Sequence, residues 1–198
     1  MALREGRWQL PVLLAMFFIP TFAAMLLVFT GWRPAGFTNN GDLVQPAAQL
    51  NPGEWQALIG QAPMLTGDWL IVVPQTSACE QPCVERLDQL NRVRVALDRD
   101  IERVRLVVLQ PSNRTTPVID ARAGADLLVL SAPLAQVNAL AQHNGQAMAA
   151  HIVDYRGYHA MRYAAPLDAS GLLDDLEKML RLGKEEAERR ALEEATAE

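Results

Sequence analysis

Hydrophobic and polar positions divide this chain into successive regimes. Residues 10–32 carry no charge. About 20 consecutive apolar residues are what one bilayer crossing needs, so this stretch predicts a single transmembrane helix. Pro11 suits a first turn and Pro20 predicts a kink, both tolerated in membrane spans. Residues 33–63 are rich in Pro, Gly, Asn and Gln, including Pro34, Asn39-Asn40-Gly41, Pro46 and Pro52-Gly53. That composition predicts an extended tether lying on the following domain, with a short strand at 43–44.

Beyond residue 63 short apolar runs alternate with helical spacing. The β-branched run 70–73 predicts a buried central strand. Val84, Leu87, Leu90 and Leu97 recur at helical intervals and predict a helix over 83–99. A second buried strand is predicted at 104–109, a polar loop at 111–124 and a short strand at 127–130. Pro133 at a first turn starts a helix over 133–142. Residues 150–153 and 158–163 read as a hairpin around Tyr155-Arg156-Gly157. Asp168 or Ser170 opens a last helix with Leu172, Leu173, Leu176, Met179 and Leu180 on its apolar side. The order β-α-β, hairpin, covering helix implies an α/β fold with a mixed sheet flanked by helices. Residues 184–198, almost all Ala, Glu and Arg, predict a solvated helical tail. The domains are thus 1–9, a cytoplasmic N-terminus; 10–32, the span; 33–63, the tether; 64–183, the globular domain; and 184–198, the charged tail.

Charge changes this picture at two places. The net charge is -5 with no block of Lys or Arg, which argues against nucleic acid as a partner. Arg4 and Arg7 precede the span and Arg33 follows it, while Trp8 and Trp32 bracket it as interfacial aromatics do. The excess of positive charge before the span places the N-terminus in the cytoplasm and the globular domain outside. A cleaved signal peptide is the competing reading, but such apolar cores run to only about 7–15 residues.

The candidate chemistry lies in the only two cysteines, Cys79 and Cys83. They sit where the strand at 70–73 passes into the helix, and i, i+4 spacing puts both sulfurs on one side of it. The positive end of a helix lowers a thiol's pKa, and Glu80 works against that. Metal ligation, redox exchange and a plain disulfide all remain open, because the expected compartment permits each. No phosphate loop, Ser-His-Asp arrangement or zinc spacing is present.

Three stretches carry a family resemblance. They are Gly67-Asp68-Trp69 through Thr76 to Cys79-x-x-x-Cys83; Val107-Val108-Leu109-Gln110-Pro111 through Arg114-Thr115-Thr116-Pro117; and Ile152-Val153-Asp154-Tyr155-Arg156-Gly157 with Met161-Arg162-Tyr163. Over about residues 60–183 the chain resembles a thioredoxin fold and, within it, the Sco proteins that help assemble cytochrome c oxidase. The resemblance implies a thioredoxin-like domain hung from one N-terminal span in a bacterial inner membrane, with the domain in the periplasm. It implies copper as the group handled, and a subunit of cytochrome c oxidase or another assembly factor as the partner. Departures are visible. Val84 stands where those proteins have Pro, Gln110 where they have Asp, and Gln146 where their copper-binding His falls.

The resemblance therefore implies copper ligation by Cys79 and Cys83, with His143, three residues upstream of Gln146 in an expected loop, as the third donor. His151 is read as a strand residue satisfied by a backbone partner, and His159 as a surface residue of the hairpin. A thiol-disulfide reductase using Cys79 and Cys83 as its redox pair is the alternative. Its usual motif is one residue shorter, and a proline usually faces the pair, whereas none occurs between Pro133 and Pro166. The third reading is a redox-inert assembly or scaffold factor that has lost the copper site and binds no cofactor.

Overall fold

The computed structural model describes residues 6–29, 39–58, 65, 67–119 and 127–197. The chain divides into two compact units, Met1–Thr38 and Asn39–Glu198. The described part of the first is one helix, α1 (Gly6–Phe29), 24 residues long. Its described apolar side chains, Phe17 and Phe22 among them, are exposed. Among the described residues no helix is long and apolar enough to cross a membrane. Side chains 6–11, 24 and 28 and residues 30–32 lie outside that description, and with them the ends of the span expected over 10–32. Arg4, Trp32, Arg33 and the tether residues 33–38 and 59–63 also lie outside it.

The second unit is built on a mixed sheet. Its strands are β1 (Asp42–Gln49), β2 (Gln56–Ala57), β3 (Trp69–Pro74), β4 (Val104–Pro111), β5 (Leu127–Ala132), β6 (Gln142–His143), β7 (Gln146–Val153) and β8 (Tyr158–Ala164). They lie in the order β1-β8-β7-β3-β4-β5-β2, with β6 paired to β7. β3, β4 and β5 are parallel, and β7, β8 and β1 follow antiparallel on the other side of β3. The helices are α2 (Gln81–Ala96), α3 (Leu134–Ala141) and α4 (Ala169–Ala197), with 3-10 turns at Pro52–Glu54 and Asp98–Arg103.

Both faces of the sheet are covered, which is why every residue of β3 is buried. On one face Ile71, Val73, Ala150, Ile152 and Met161 meet Leu87 and Leu90 of α2 and Leu172, Leu176 and Leu180 of α4. On the other, Leu70, Val72, Val107, Leu109 and Val153 meet Val137 and Leu140 of α3. The predicted strands at 70–73, 104–109 and 127–130, the helices and the hairpin are all present, one to four residues longer or shorter at their ends.

The differences are at the sheet's margins. The strand expected at 43–44 is the eight-residue edge strand β1, whose pairing with β8 is interrupted between Leu43 and Ala48. Pro46 falls in that interruption, where an edge strand tolerates a residue without an N–H. His143 is not in a loop. It closes a two-residue hairpin in which His143 faces Gln146 across Asn144 and Gly145, both at positive φ, as a tight primed turn requires. The tail predicted at 184–198 continues α4 as a single exposed helix.

One carboxylate fastens the margin. Asp175 of α4 is 3% exposed and accepts from the Asn40 and Gly41 backbone N–H groups and from the Tyr163 hydroxyl. Burial, and then that hydrogen bond, push the Tyr163 pKa up.

Candidate functional site

Cys79 and Cys83 lie at the C-terminal end of β3, where the chain turns into α2. They form a disulfide, with Cα atoms 5.2 Å apart. Pro82 occupies the first turn of α2, where its missing N–H leaves nothing unsatisfied. Cys83 is buried against the core, while Cys79 is partly exposed and packs on the same apolar cluster. Of the two residues, Cys79 is the more exposed.

Two glutamines hold the loop that carries Cys79. Gln75 directly follows β3, its N–H donating to the Leu109 carbonyl at 2.9 Å. Its side-chain NH2 donates to the carbonyls of Ser77 at 3.2 Å and Ala78 at 3.4 Å. Its Oε1 accepts from Arg86 Nη2 of α2 at 3.1 Å, so one amide ties both arms of the disulfide together. Burial lowers the pKa of Arg86, and its guanidinium is still the cation beside this loop.

Gln110, fully buried at the end of β4, does the same for the facing loop. It donates to the carbonyls of Arg114 and Thr116 and accepts from the Val118 N–H at 2.9 Å. Val118 then accepts from the Cys79 N–H at 2.9 Å. Sequence reasoning marked Gln110 as a departure and missed Gln75 and Arg86. The available signal was a polar residue at the end of each of two apolar strand runs, where an isolated amide must find partners.

The imidazoles are elsewhere. In antiparallel pairing, directly opposed residues share a face of the sheet. His151 stands opposite Arg162 on β8 and beside Val72 on β3, and His159 opposite Val153. Val72 and Val153 belong to the face covered by α3. His143 Nδ1 sits 3.2 Å from Arg162 Nη1. A guanidinium can only donate, so that nitrogen is an acceptor already engaged. All three imidazoles thus lie on the α3 face, and the disulfide on the α2/α4 face.

The structure brings Cys79 and Cys83 together and does not bring His143, His151 or His159 to them. Among the described residues no group of three His, Cys, Asp or Glu side chains could hold a metal ion. Among the described residues, then, the two sulfurs of the copper set implied by the resemblance are together and none of the three imidazoles is beside them.

His151 and His159 form a buried pair. His151 Nε2 is 2.8 Å from the Leu140 carbonyl, and His151 Nδ1 is 2.9 Å from His159 Nε2. A carbonyl only accepts, so His151 carries its proton on Nε2 and accepts from His159 on Nδ1. The backbone partner expected for His151 is Leu140. His159, expected at the surface, is 7% exposed, its ring packed edge-on against that of His151 with centroids 4.8 Å apart. Burial and the neighbouring positive groups hold the pKa of His151 down to about 3, and burial and Arg162 hold that of His159 down to about 4.

Comparison with known proteins adds the following. The family described as transmembrane-like, thioredoxin-like, C-terminal domain matches residues 69–183. Among solved structures, Arabidopsis thaliana ScoI with copper bound is 14% identical, with a TM-score of 0.47, over 60% of this chain and 87% of that one. Bradyrhizobium japonicum ScoI with copper bound is 16% identical, with a TM-score of 0.46, over 70% and 98%. The bacterioferritin comigratory protein of Xanthomonas campestris, described with alkyl peroxide reduction activity, is 11% identical, with a TM-score of 0.47, over 72% and 99%. At this distance none of them carries a statement about what this chain binds. No curated protein matches the sequence.

Proposed function

From the premise that the chain belongs to the transmembrane-like, thioredoxin-like C-terminal domain family, we propose that it is a membrane-anchored thiol–disulfide exchange protein of the bacterial periplasm. The observation that carries this reading is the disulfide itself, at a strand-to-helix junction with Cys79 partly exposed and Cys83 buried. A client thiolate attacks Cys79 Sγ, the Sγ–Sγ bond breaks, and Cys83 leaves with the electron pair at the positive end of α2. The client's second thiolate then attacks its own sulfur in the mixed disulfide and releases Cys79. The client loses two electrons and forms a disulfide, and this chain becomes the dithiol. The reverse sequence reduces a client.

The anchor in this proposal is α1. Twenty-four residues at about 1.5 Å each extend about 36 Å, against a hydrocarbon core of about 30 Å. The charge-free stretch 10–32 and the arginines before it support a cytoplasmic N-terminus. Resemblance to Sco proteins supports cytochrome c oxidase assembly as the setting, with an oxidase subunit or another assembly factor as client.

The experiment is trapping. Cys83→Ser protein incubated with a disulfide-bonded peptide is expected to accumulate a mixed disulfide through Cys79, with one peptide thiolate leaving, and Cys79→Ser protein to form none. Equal trapping by both variants removes the assigned order of attack, and none by either removes the exchange reading.

Copper as cargo is the second reading, favoured by two sulfurs held within one helical turn. Cu(I) takes soft thiolates, so the reduced full chain would bind it through Cys79 and Cys83. His143→Ala is expected to leave such binding unchanged, since Arg162 already occupies that ring. Loss of binding in His143→Ala would restore the three-donor set.

A further inference from the structure

The disulfide opens onto a groove beside α2. Its volume is about 430 Å3, within the range of binding clefts. One wall is α2, where Gln81, Val84, Glu85 and Asp88 recur at i, i+3, i+4 and i+7 and so share one helix face. The floor is Leu87 and Leu106, both buried, and the far side is Ile119 and Leu127, both partly exposed. α2 packs over β4, and the start of β5 beside it keeps apolar surface in contact with solvent.

Two observations give the groove an occupant. The first is continuity with Cys79. Gln81 lies two residues after it, and Val84 directly follows Cys83. On the far side Ile119 directly follows Val118, whose carbonyl accepts the Cys79 N–H at 2.9 Å. Cys79, Ile119 and Leu127 pack on the same apolar cluster. Both sides of the groove therefore start at the more exposed cysteine. The second is charge. The lining holds Glu85 and Asp88 and no cation. Among the described residues Glu85 accepts only from the neutral Gln81 amide, at 3.0 Å, while Asp88 pairs with Arg92. Glu80, between the cysteines, is exposed and makes no cap hydrogen bond.

A client that presents a cysteine to Cys79 must lay the residues beside that cysteine somewhere. Val84, 44% exposed, is an apolar lip above an apolar floor, so the groove suits an aliphatic side chain. An acidic neighbour would meet Glu80 and Glu85, and a basic one would find in Glu85 a carboxylate that no cation holds. We infer that this groove is the client subsite of the exchange reaction, and that it takes a segment in which an aliphatic residue and a lysine or arginine flank the reacting cysteine. The inference rests on the exchange reading and adds to it the class of client. The aliphatic side chain lies over Leu106, Ile119 and Leu127, and the cation faces Glu85. Exposed charges of this kind select among partners and speed encounter more than they add affinity.

The test uses the oxidised full chain in non-ionic micelles and three capped dithiol peptides. All share a Cys-Gly-Gly-Cys centre, flanked on each side by Leu and Lys, by Leu and Glu, or by Gly and Lys. In each reaction the peptide's two thiols become its disulfide as Cys79–Cys83 becomes the dithiol, which alkylation and mass measurement follow. Every rate is divided by that of the same protein with dithiothreitol. At low ionic strength the Leu and Lys peptide is expected to react about fivefold faster than either comparator. The charge part of that advantage should shrink at high salt. Glu85→Lys combined with Asp88→Lys, both at exposed positions, should reverse the order of the Lys and Glu peptides, which separates the groove from the peptides' own thiol reactivity. Equal rates for the three peptides, or an order unchanged in the charge-reversed variant, overturn this inference and leave the exchange reading standing. Selectivity that vanishes as protein concentration rises assigns the groove to a second copy of the chain and overturns it as well. No reaction with dithiothreitol or any peptide removes the exchange reading and this inference together.

Discussion

Lowering the pH from 7 to 5 should destabilise this domain through two residues, His151 and His159. Both are neutral in the folded protein, with pKa values held near 3 and 4 against an ordinary 6.5. The sign follows from linkage. Below pH 6.5 the unfolded chain binds protons that the folded chain refuses, so stability falls as pH drops through the window from about 6.5 to about 4. At pH 5 each group lies about 1.5 units below its unfolded value, worth about 2 kcal/mol at 1.36 kcal/mol per unit. The pair therefore removes about 4 kcal/mol, a large share of an ordinary domain's stability. His151→Gln separates this from general acid effects. Its amide can still donate to the Leu140 carbonyl and accept from His159, but it does not titrate. Urea unfolding of the full chain in non-ionic micelles, followed by tryptophan fluorescence at several pH values, supplies the slopes. The variant should lose about half as much stability as the native chain over the same interval. Identical slopes in the two proteins would refute the assignment of the acid response to this pair.

Substitutions at two further positions probe the scaffold. Gln110→Leu keeps the volume but strands the Val118 N–H and two carbonyls of the loop facing Cys79, so denaturant midpoints should show a loss of about 2–4 kcal/mol. Asp175→Ala leaves the buried Tyr163 hydroxyl and the less buried Asn40 and Gly41 N–H groups without an acceptor, at a cost of about 1–3 kcal/mol, and should speed proteolysis near residues 39–50. Asp175→Asn, which keeps one acceptor oxygen, should lose less by the same measurement.

The core of the fold was legible because its strands are buried on both faces and so read as nearly continuous apolar runs, with Arg105 the one interruption in 70–73 and 104–109. The runs 70–73 and 104–109 needed no tertiary context. β1 was harder. An exposed edge strand needs no alternation, and Asp42, Gln45, Pro46 and Gln49 resemble a tether more than a strand. The hairpin holding His143 had a signal in Asn144-Gly145, the dipeptide of a primed turn, which the expectation of a loop passed over.

The cysteine pair was legible from position alone. The histidines were not, because which face a strand residue takes depends on register. In β8 the pairing slips between His159 and Met161, and neighbours in sequence then report to different layers. A count by twos from any one anchor residue fails at such a slip.

Asp175 has a mechanical consequence. The backbone it grips at Asn40 and Gly41 lies immediately before β1, so tension arriving along the chain from its N-terminal side meets a carboxylate on α4 before it meets the edge ladder. A pull there is shared by a helix packed into the core instead of peeling β1 from β8 one bond at a time.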